Sequence, residues 1–351
     1  MFRIERIAAK PLSVPLTSPF VIASARVDVT PNVLIEIELV ELKTGARAVG
    51  LGEAATLHPV TSQTQQDVLA QLTQLVTPCD LSVLDGLHGS TVQGLSTAVE
   101  DALARLEGKT LRSALAGHRP VAEVIITDIT LPIGEPAAMA QLAREWRARG
   151  FTCFKVKVGK DADADLRALE QIHRAVPDAT FIIDANAAFS AAEAISLARS
   201  GERLGLVIEC FEQPCGKHAL DAMAEVAAAL SIPVIADESL QGPADLALLA
   251  KERAADGINL KIAKLGSPRA AVELGRLARE KYGMKLMMGA MVETRLGITA
   301  AANVAAALGG VEFPDLDTAL LLAADPFSGG YVMTGPRLAL TSGPGLDLRR
   351  S

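Results

Sequence analysis

The sequence predicts an α/β fold, a TIM-like barrel of parallel strands preceded by a small α+β domain. One observation is a series of short apolar segments from residue 122 onward. Each is followed by a loop and an amphipathic helical stretch, the alternation that parallel strands with helical crossovers require. A second is the different style of residues 1–120, where alternating strands come before helices. The third is a set of ionisable residues that recurs at the ends of successive apolar segments.

In residues 33–39, Ile35, Ile37 and Leu39 fall on one face and Glu36 and Glu38 on the other, the period of a half-buried strand. The turn Lys43-Thr44-Gly45 leads into Ala48–Glu53, and helical patterns follow over Ser62–Val76 and Val92–Leu106. The later strands are expected at Glu123–Leu131, Cys153–Val158, Thr180–Asp184, Leu206–Glu212, Pro233–Asp237, Gly257–Lys261, Lys285–Gly289 and Glu312–Asp317. Between them, Ser190 and Glu193 form a capping box, and Ser267-Pro268 is an N-cap with proline in the first turn. A doubly wound open sheet would give a similar alternation. Lys157, Asp184, Glu212, Asp237, Lys261, Met287 and Asp315 are separated by 27, 28, 25, 24, 26 and 28 residues, one β/α unit each. A barrel would bring these strand ends to one mouth; an open sheet would spread them along an edge.

Composition narrows the function. The 351 residues hold 34 basic and 41 acidic side chains, a net charge of −7 with no basic block, so nucleic acid is not an expected partner. Four cysteines without CxxC spacing suggest reduced thiols and a cytoplasmic location. Pro11 and Pro15 interrupt the apolar residues after Arg3, Arg6 and Lys10, and the apolar stretch Ile298–Val311 falls short of the about 20 residues a membrane helix needs. Neither export nor a membrane span is expected, and the sequence does not set whether the chain forms a homo-oligomer.

Asp184, Glu212 and Asp237 would place three carboxylates on adjacent strands. Such an all-oxygen set suits a hard cation such as Mg2+, although each acid alone is equally a helix cap or a surface group. Lys155 and Lys157 lie on one face of their strand, with Val156 turned to the helices. Lys261 ends the strand four places further round the ring, facing Lys157 across the mouth. Positive charge nearby lowers a lysine pKa, so this pair suits proton removal and return on opposite faces of a carbon acid. The resulting enolate needs a preorganised cation, which the three acids would hold. Asp315 and Asp317 share a face of the last strand, apart from the three acids, and suit a substrate ammonium group or serve as a loop cap. Each of the five histidines falls in a loop or helix pattern; only His58 is in a loop that would cover the mouth.

At these positions the chain resembles the muconate-lactonizing-enzyme subgroup of the enolase superfamily. The likeness is carried by Lys155-Val156-Lys157, Asp184-Ala185-Asn186, Glu212-Gln213-Pro214, Asp237-Glu238-Ser239 and Asn259-Leu260-Lys261, with Gly52-Glu53-Ala54 near the start. It implies a capping domain over 1–120, a (β/α)7β barrel over 121–330 and a segment 331–351 returning to the cap. It further implies Mg2+ on Asp184, Glu212 and Asp237, Lys157 and Lys261 as the acid/base pair, and Lys155 bound to the substrate carboxylate. Met287 and Met288 stand where the mandelate-racemase subgroup would carry a histidine.

Within the subgroup, Asp315-Leu316-Asp317 resembles the Asp-x-Asp pair with which dipeptide epimerases bind an α-ammonium group. The expected reaction is therefore inversion of a dipeptide at the Cα of its C-terminal residue, L,L to L,D. By the same likeness Thr130, Ala290, Met291 and Val292 would contact substrate, and Phe20 and Ile22 would cover it from the cap. Ala188 and Gly266-Ser267 depart from the family's glycines, and Arg26 stands near, but not clearly at, a specificity arginine. The apolar loop Ser18–Ile22 favours a hydrophobic second residue. N-succinylamino acid racemisation, o-succinylbenzoate synthesis and muconate cycloisomerisation are the rival reactions of the subgroup. A Schiff-base barrel using Lys157 or Lys261, or a metal-stabilised binding module, would be rivals of another class.

Overall fold

The computed structural model of the chain describes residues 1–21, 26–58 and 60–351. The opening domain is a sheet in which the long strand Phe2–Leu12 pairs antiparallel with Asn32–Glu41, which pairs in turn with Arg47–Ala54. Val33, Ile35, Ile37 and Leu39 are fully buried, as their alternation predicts. They pack beneath helix Gly89–Leu106, whose contact with the third strand is unusually close. A Cβ added at Gly50 would fall 1.9 Å from Ala98 O, and one at Gly52 1.9 Å from Gly94 O. Only glycine allows that approach. The other expected helix runs from Gln65 to Thr73 and starts at a capping box of Thr64 and Asp67.

The remainder is an eight-stranded parallel sheet in sequence order: Ile129–Leu131, Cys153–Lys157, Thr180–Asp184, Val207–Glu212, Val234–Ala236, Gly257–Leu260, Lys285–Met288 and Phe313–Pro314. Its edge strands meet where Asp128 N donates to Pro314 O at 3.1 Å. Six of the eight strands match their expected segments closely, whereas the eighth, expected over Glu312–Asp317, is only Phe313–Pro314, so that Asp315 and Asp317 lie beyond its end rather than on a face of it. The first is a correction: Glu123–Leu131 divides into Val124–Ile126 and Ile129–Leu131, and only the second piece enters the barrel. Val124–Ile126 instead pairs antiparallel with Arg337–Leu340 of the hairpin Tyr331–Leu340. The chain breaks at Thr127 because its Oγ1 accepts from Leu316 N at 2.7 Å, tying this point to the segment just beyond the eighth strand.

Alternation within the strands sorts the core. Ile182, Cys210, Ile235, Met287 and Phe313 fill the barrel interior, whereas Phe154, Val156, Phe181 and Ile183 face the helical ring. Both expected caps are present: Ser190 with Glu193, and Ser267 before Pro268. The segment after the hairpin reaches the opening domain, where Leu346 N donates to Asp101 Oδ1 at 2.7 Å and Leu111 N to Gly345 O at 2.8 Å. Glu53 locks the two parts together. Its carboxylate accepts from Asn32 Nδ2, Thr294 Oγ1 and the backbone of Thr294 and Gly297 at the start of helix Arg295–Ala307. No helix among the described residues is long and apolar enough to cross a membrane.

Candidate active site

Parallel strands in register carry the ionisable residues to one end of the barrel: Asp184 pairs with Lys157 on one side and Glu212 on the other. The backbone just beyond is held in the left-handed region at Asn186 (φ 44°), Ala187 (φ 66°) and Gln213 (φ 33°). Strain of that kind persists only where surrounding structure imposes it, and it clusters at functional sites. A cleft of about 800 Å3, open solvent included, lies over these strand ends. Thr130, Lys155, Lys157, Asp237, Lys261, Ala290, Met291, Val292 and Asp315 all line it, and Phe20 covers it from the cap. Phe20 is set there by the cap hairpin, which docks through Ile133 N to Val21 O (3.1 Å) and Ala323 N to Pro15 O (2.8 Å). Ile22 lies outside the described residues.

Three acids expected to form one cluster are interleaved with lysines. Lys157 Nζ is 2.5 Å from Asp184 Oδ2, and Lys155 Nζ is 3.0 Å from the same oxygen and 2.6 Å from Glu212 Oε2. Lys261 Nζ reaches Asp237 Oδ2 at 2.7 Å, and Lys264 Nζ reaches Asp237 Oδ1 at 2.6 Å. Burial alone would raise the Asp184 and Asp237 carboxyls, but Lys155 with Lys157, and Lys261 with Lys264, hold them below the usual range. Glu212 is pushed up to about 7 by burial and then by Asp184.

Lys261 runs against expectation. Burial works to lower it, yet Asp237 and then Glu212 push it above the ordinary lysine value. Lys155 works to lower it as well, but the carboxylates outweigh both effects. Gly289 makes room for this side chain, since a Cβ there would sit 3.1 Å from Lys261 Cε.

The donor set fits a hard cation. Asp184, Glu212 and Asp237 are buried, present only oxygens and come from adjacent strands. Glu212 Oε2 makes no hydrogen bond despite its ion contact with Lys155, while Oε1 accepts from Asn259 Nδ2 at 2.7 Å. The ammonium groups that bridge these acids would yield to an ion. The carboxylates whose oxygens approach within 4.8 Å of one another are a different trio, Asp128, Asp315 and Asp317.

Asp315 and Asp317 do not stand apart from the other acids as expected. Asp315 Oδ2 is 2.7 Å from Lys155 Nζ, which joins it to Asp184 and Glu212. Asp317 is fully buried beneath the cleft, where its Oδ2 accepts from Thr130 N at 2.6 Å. Burial, then Asp315, push it up to about 6. The loop after Glu53 does cover the mouth, but through Leu57 and Val60; His58 is exposed. Arg26 is paired with Asp28 on the exposed hairpin and is not among the cleft residues.

Sequence reasoning missed Asp128, Lys264 and the cleft-lining Glu238. Lys264 was findable, because it follows Lys261 by one helical turn in the short helix Ile262–Leu265. Asp128 carries its own signal as the one charged residue inside the apolar run Val124–Leu131.

Residues 138–349 match the enolase C-terminal domain-like family. The chain belongs to that family. It is 35% identical over 97% of its length to an L-Ala-D/L-amino acid epimerase of Populus trichocarpa, spanning 83% of that protein. It is 34% identical over 98% of its length to an aromatic dipeptide epimerase of Herpetosiphon aurantiacus, spanning 99% of it. Its structure is similar to that of a dipeptide epimerase from Enterococcus faecalis complexed with Mg and L-Leu-L-Tyr, with TM-score 0.89, 27% identity and coverage of 99% and 100% of the two chains. The enolase-superfamily barrel with an N-terminal capping domain, expected from the motifs, is therefore the fold of this chain.

Proposed function

We propose that this protein is an isomerase, a Mg2+-dependent dipeptide epimerase that inverts the Cα of the C-terminal residue, L,L to L,D. The observation that carries the reading is the placement of Lys157, at the end of barrel strand two, and Lys261, just beyond strand six, in one cleft that Asp315 also lines. A carbon acid between two amines can lose its proton to one and regain a proton from the other on the opposite face. The relatives' names and the dipeptide in the similar E. faecalis structure support the substrate class.

In this reading Asp184, Glu212 and Asp237 hold Mg2+, which when bound supplies the positive charge that offsets charge developing on the substrate carboxylate. Lys155 binds that carboxylate. Asp315, backed by Asp317, accepts hydrogen bonds from the α-ammonium group at the other end, beside Thr130. Ala290, Met291 and Val292 line the side wall, and the cap closes water out with Phe20. Leu57, Val60 and Phe20 make the roof apolar, which supports a hydrophobic C-terminal side chain. Domain limits near 120 and 330 go with this division of labour between cap and barrel.

Chiral chromatography of L-Ala-L-Phe incubated with the protein and Mg2+ tests the proposal. Formation of L-Ala-D-Phe, abolished by EDTA and by Lys261→Ala, is expected. Turnover of an N-succinylamino acid with no dipeptide turnover would replace this reading with the rival racemase.

A further inference from the structure

A buried carboxylate without a donor is rare in a folded protein, because desolvating it unpartnered is costly. Asp128 is 3% exposed, and neither of its carboxylate oxygens has a hydrogen-bond partner among the described residues. Its position is fixed by backbone. Asp128 N donates to Pro314 O at 3.1 Å, next to Asp315, and Thr127 Oγ1 accepts from Leu316 N at 2.7 Å. Closure of strand one on strand eight thereby sets three acids side by side, one oxygen of each within 4.8 Å of the other two. Among the described residues, the ammonium group that touches this trio does so at Asp315 and is that of Lys155, already shared with Asp184 and Glu212. Asp317 Oδ1 also lacks a partner. Burial, then Asp315 and Asp317, push the Asp128 carboxyl well above the usual carboxylate range, so these closely set acids keep a proton that an arriving cation would release, directly beside the part of the cleft lined by Asp315 and Thr130.

We propose that Asp128 is a third member of the cation subsite of Asp315 and Asp317, a positioning residue that selects substrates with a free ammonium group over N-acylated ones. The inference rests on the dipeptide reading. Asp128 does not line the cleft; it acts through the two acids in front of it. An ammonium group lets these acids ionise and accept its hydrogen bonds, whereas a neutral amide offers no charge to offset them, which is how a site rejects an unwanted ligand.

The test is calorimetric binding of L-Ala-L-Phe and N-acetyl-L-Ala-L-Phe, with Mg2+ present, to the wild-type protein and to Asp128→Asn, a near-isosteric change that leaves no ionisable group at this position. Wild type should prefer the free dipeptide, and Asp128→Asn should lose about tenfold or more of that preference. Mg2+ affinity should be unchanged and Tm unchanged or raised, because a buried, unpartnered ionisable group is gone. A merely structural role would lower Tm and weaken both ligands alike, overturning the proposal. Full preference retained by Asp128→Asn would also overturn it while leaving the dipeptide reading in place. No preference in wild type would defeat the dipeptide reading, and the role of Asp128 with it. Should Asp128→Asn not fold, Asp128→Ser is compared in the same way.

Discussion

The Lys155 ammonium lies 2.7 Å from the Asp315 carboxylate and 2.6 Å from that of Glu212, so one buried cation joins the two acid groups of the barrel mouth. Burial works to lower Lys155, but Asp184, Asp315 and Glu212 raise it well above the ordinary lysine value. Removing one partner from such a network leaves uncompensated charge. Lys155→Met is therefore expected to destabilise the fold by about 3–5 kcal/mol, read as a lower urea midpoint, with part of the loss restored by Mg2+. An unchanged midpoint would mean that the acids do not depend on Lys155.

Asp315 separates binding from chemistry. Asp315→Asn removes a charge that faces the ammonium end of the cleft and none that touches Cα. KM for dipeptides should rise about tenfold or more while kcat changes far less, measured by steady-state kinetics. An equal fall in kcat and kcat/KM would place Asp315 in the chemical step instead.

Glu53 clamps the cap to the barrel with its hydrogen bonds to Asn32, Thr294 and Gly297. Glu53→Ala strips acceptors from several buried donors at once and should cost about 2–4 kcal/mol by chemical denaturation. Because Asn32 Nδ2 also donates to Val292 O at 2.9 Å, the same change should loosen the cleft roof and raise KM.

Glu100 gives a pH dependence outside the site. Burial pushes its carboxyl up to about 7, against the lowering effect of Arg269. Between about pH 4.5 and 7 the folded chain keeps a proton that the unfolded chain has released, so this contribution to stability is complete below that window and lost as pH rises through it. Glu100→Gln should gain about 1–3 kcal/mol over wild type at pH 8 and little at pH 4.5, by thermal denaturation. A gain that is the same at both pH values would contradict the assignment.

Much of the site was legible because β/α units of similar length put ionisable residues at regular intervals along the chain. Lys157, Asp184, Glu212, Asp237, Lys261 and Asp315 converge for that reason. Spacing could not reveal which charges touch. Lys155 was expected at a substrate carboxylate and is found among Asp184, Glu212 and Asp315; Lys264 was not anticipated on Asp237 at all. Glu123–Leu131 has the composition of one strand apart from Thr127-Asp128, and it is the Thr127 side-chain bond and the Asp128 backbone bond to the eighth strand segment that divide it there. Such long-range closure leaves no periodic trace in a sequence.

The two-base claim is tested most directly by Cα deuterium uptake from D2O, followed by mass spectrometry on separate L,L and L,D dipeptides with Mg2+ present. Wild type should exchange both epimers, while Lys157→Ala and Lys261→Ala each abolish epimerisation and each retain exchange of, at most, one epimer, opposite in the two variants. Exchange of both epimers by either variant, or no exchange of any dipeptide by folded, Mg2+-loaded wild type, would contradict the account.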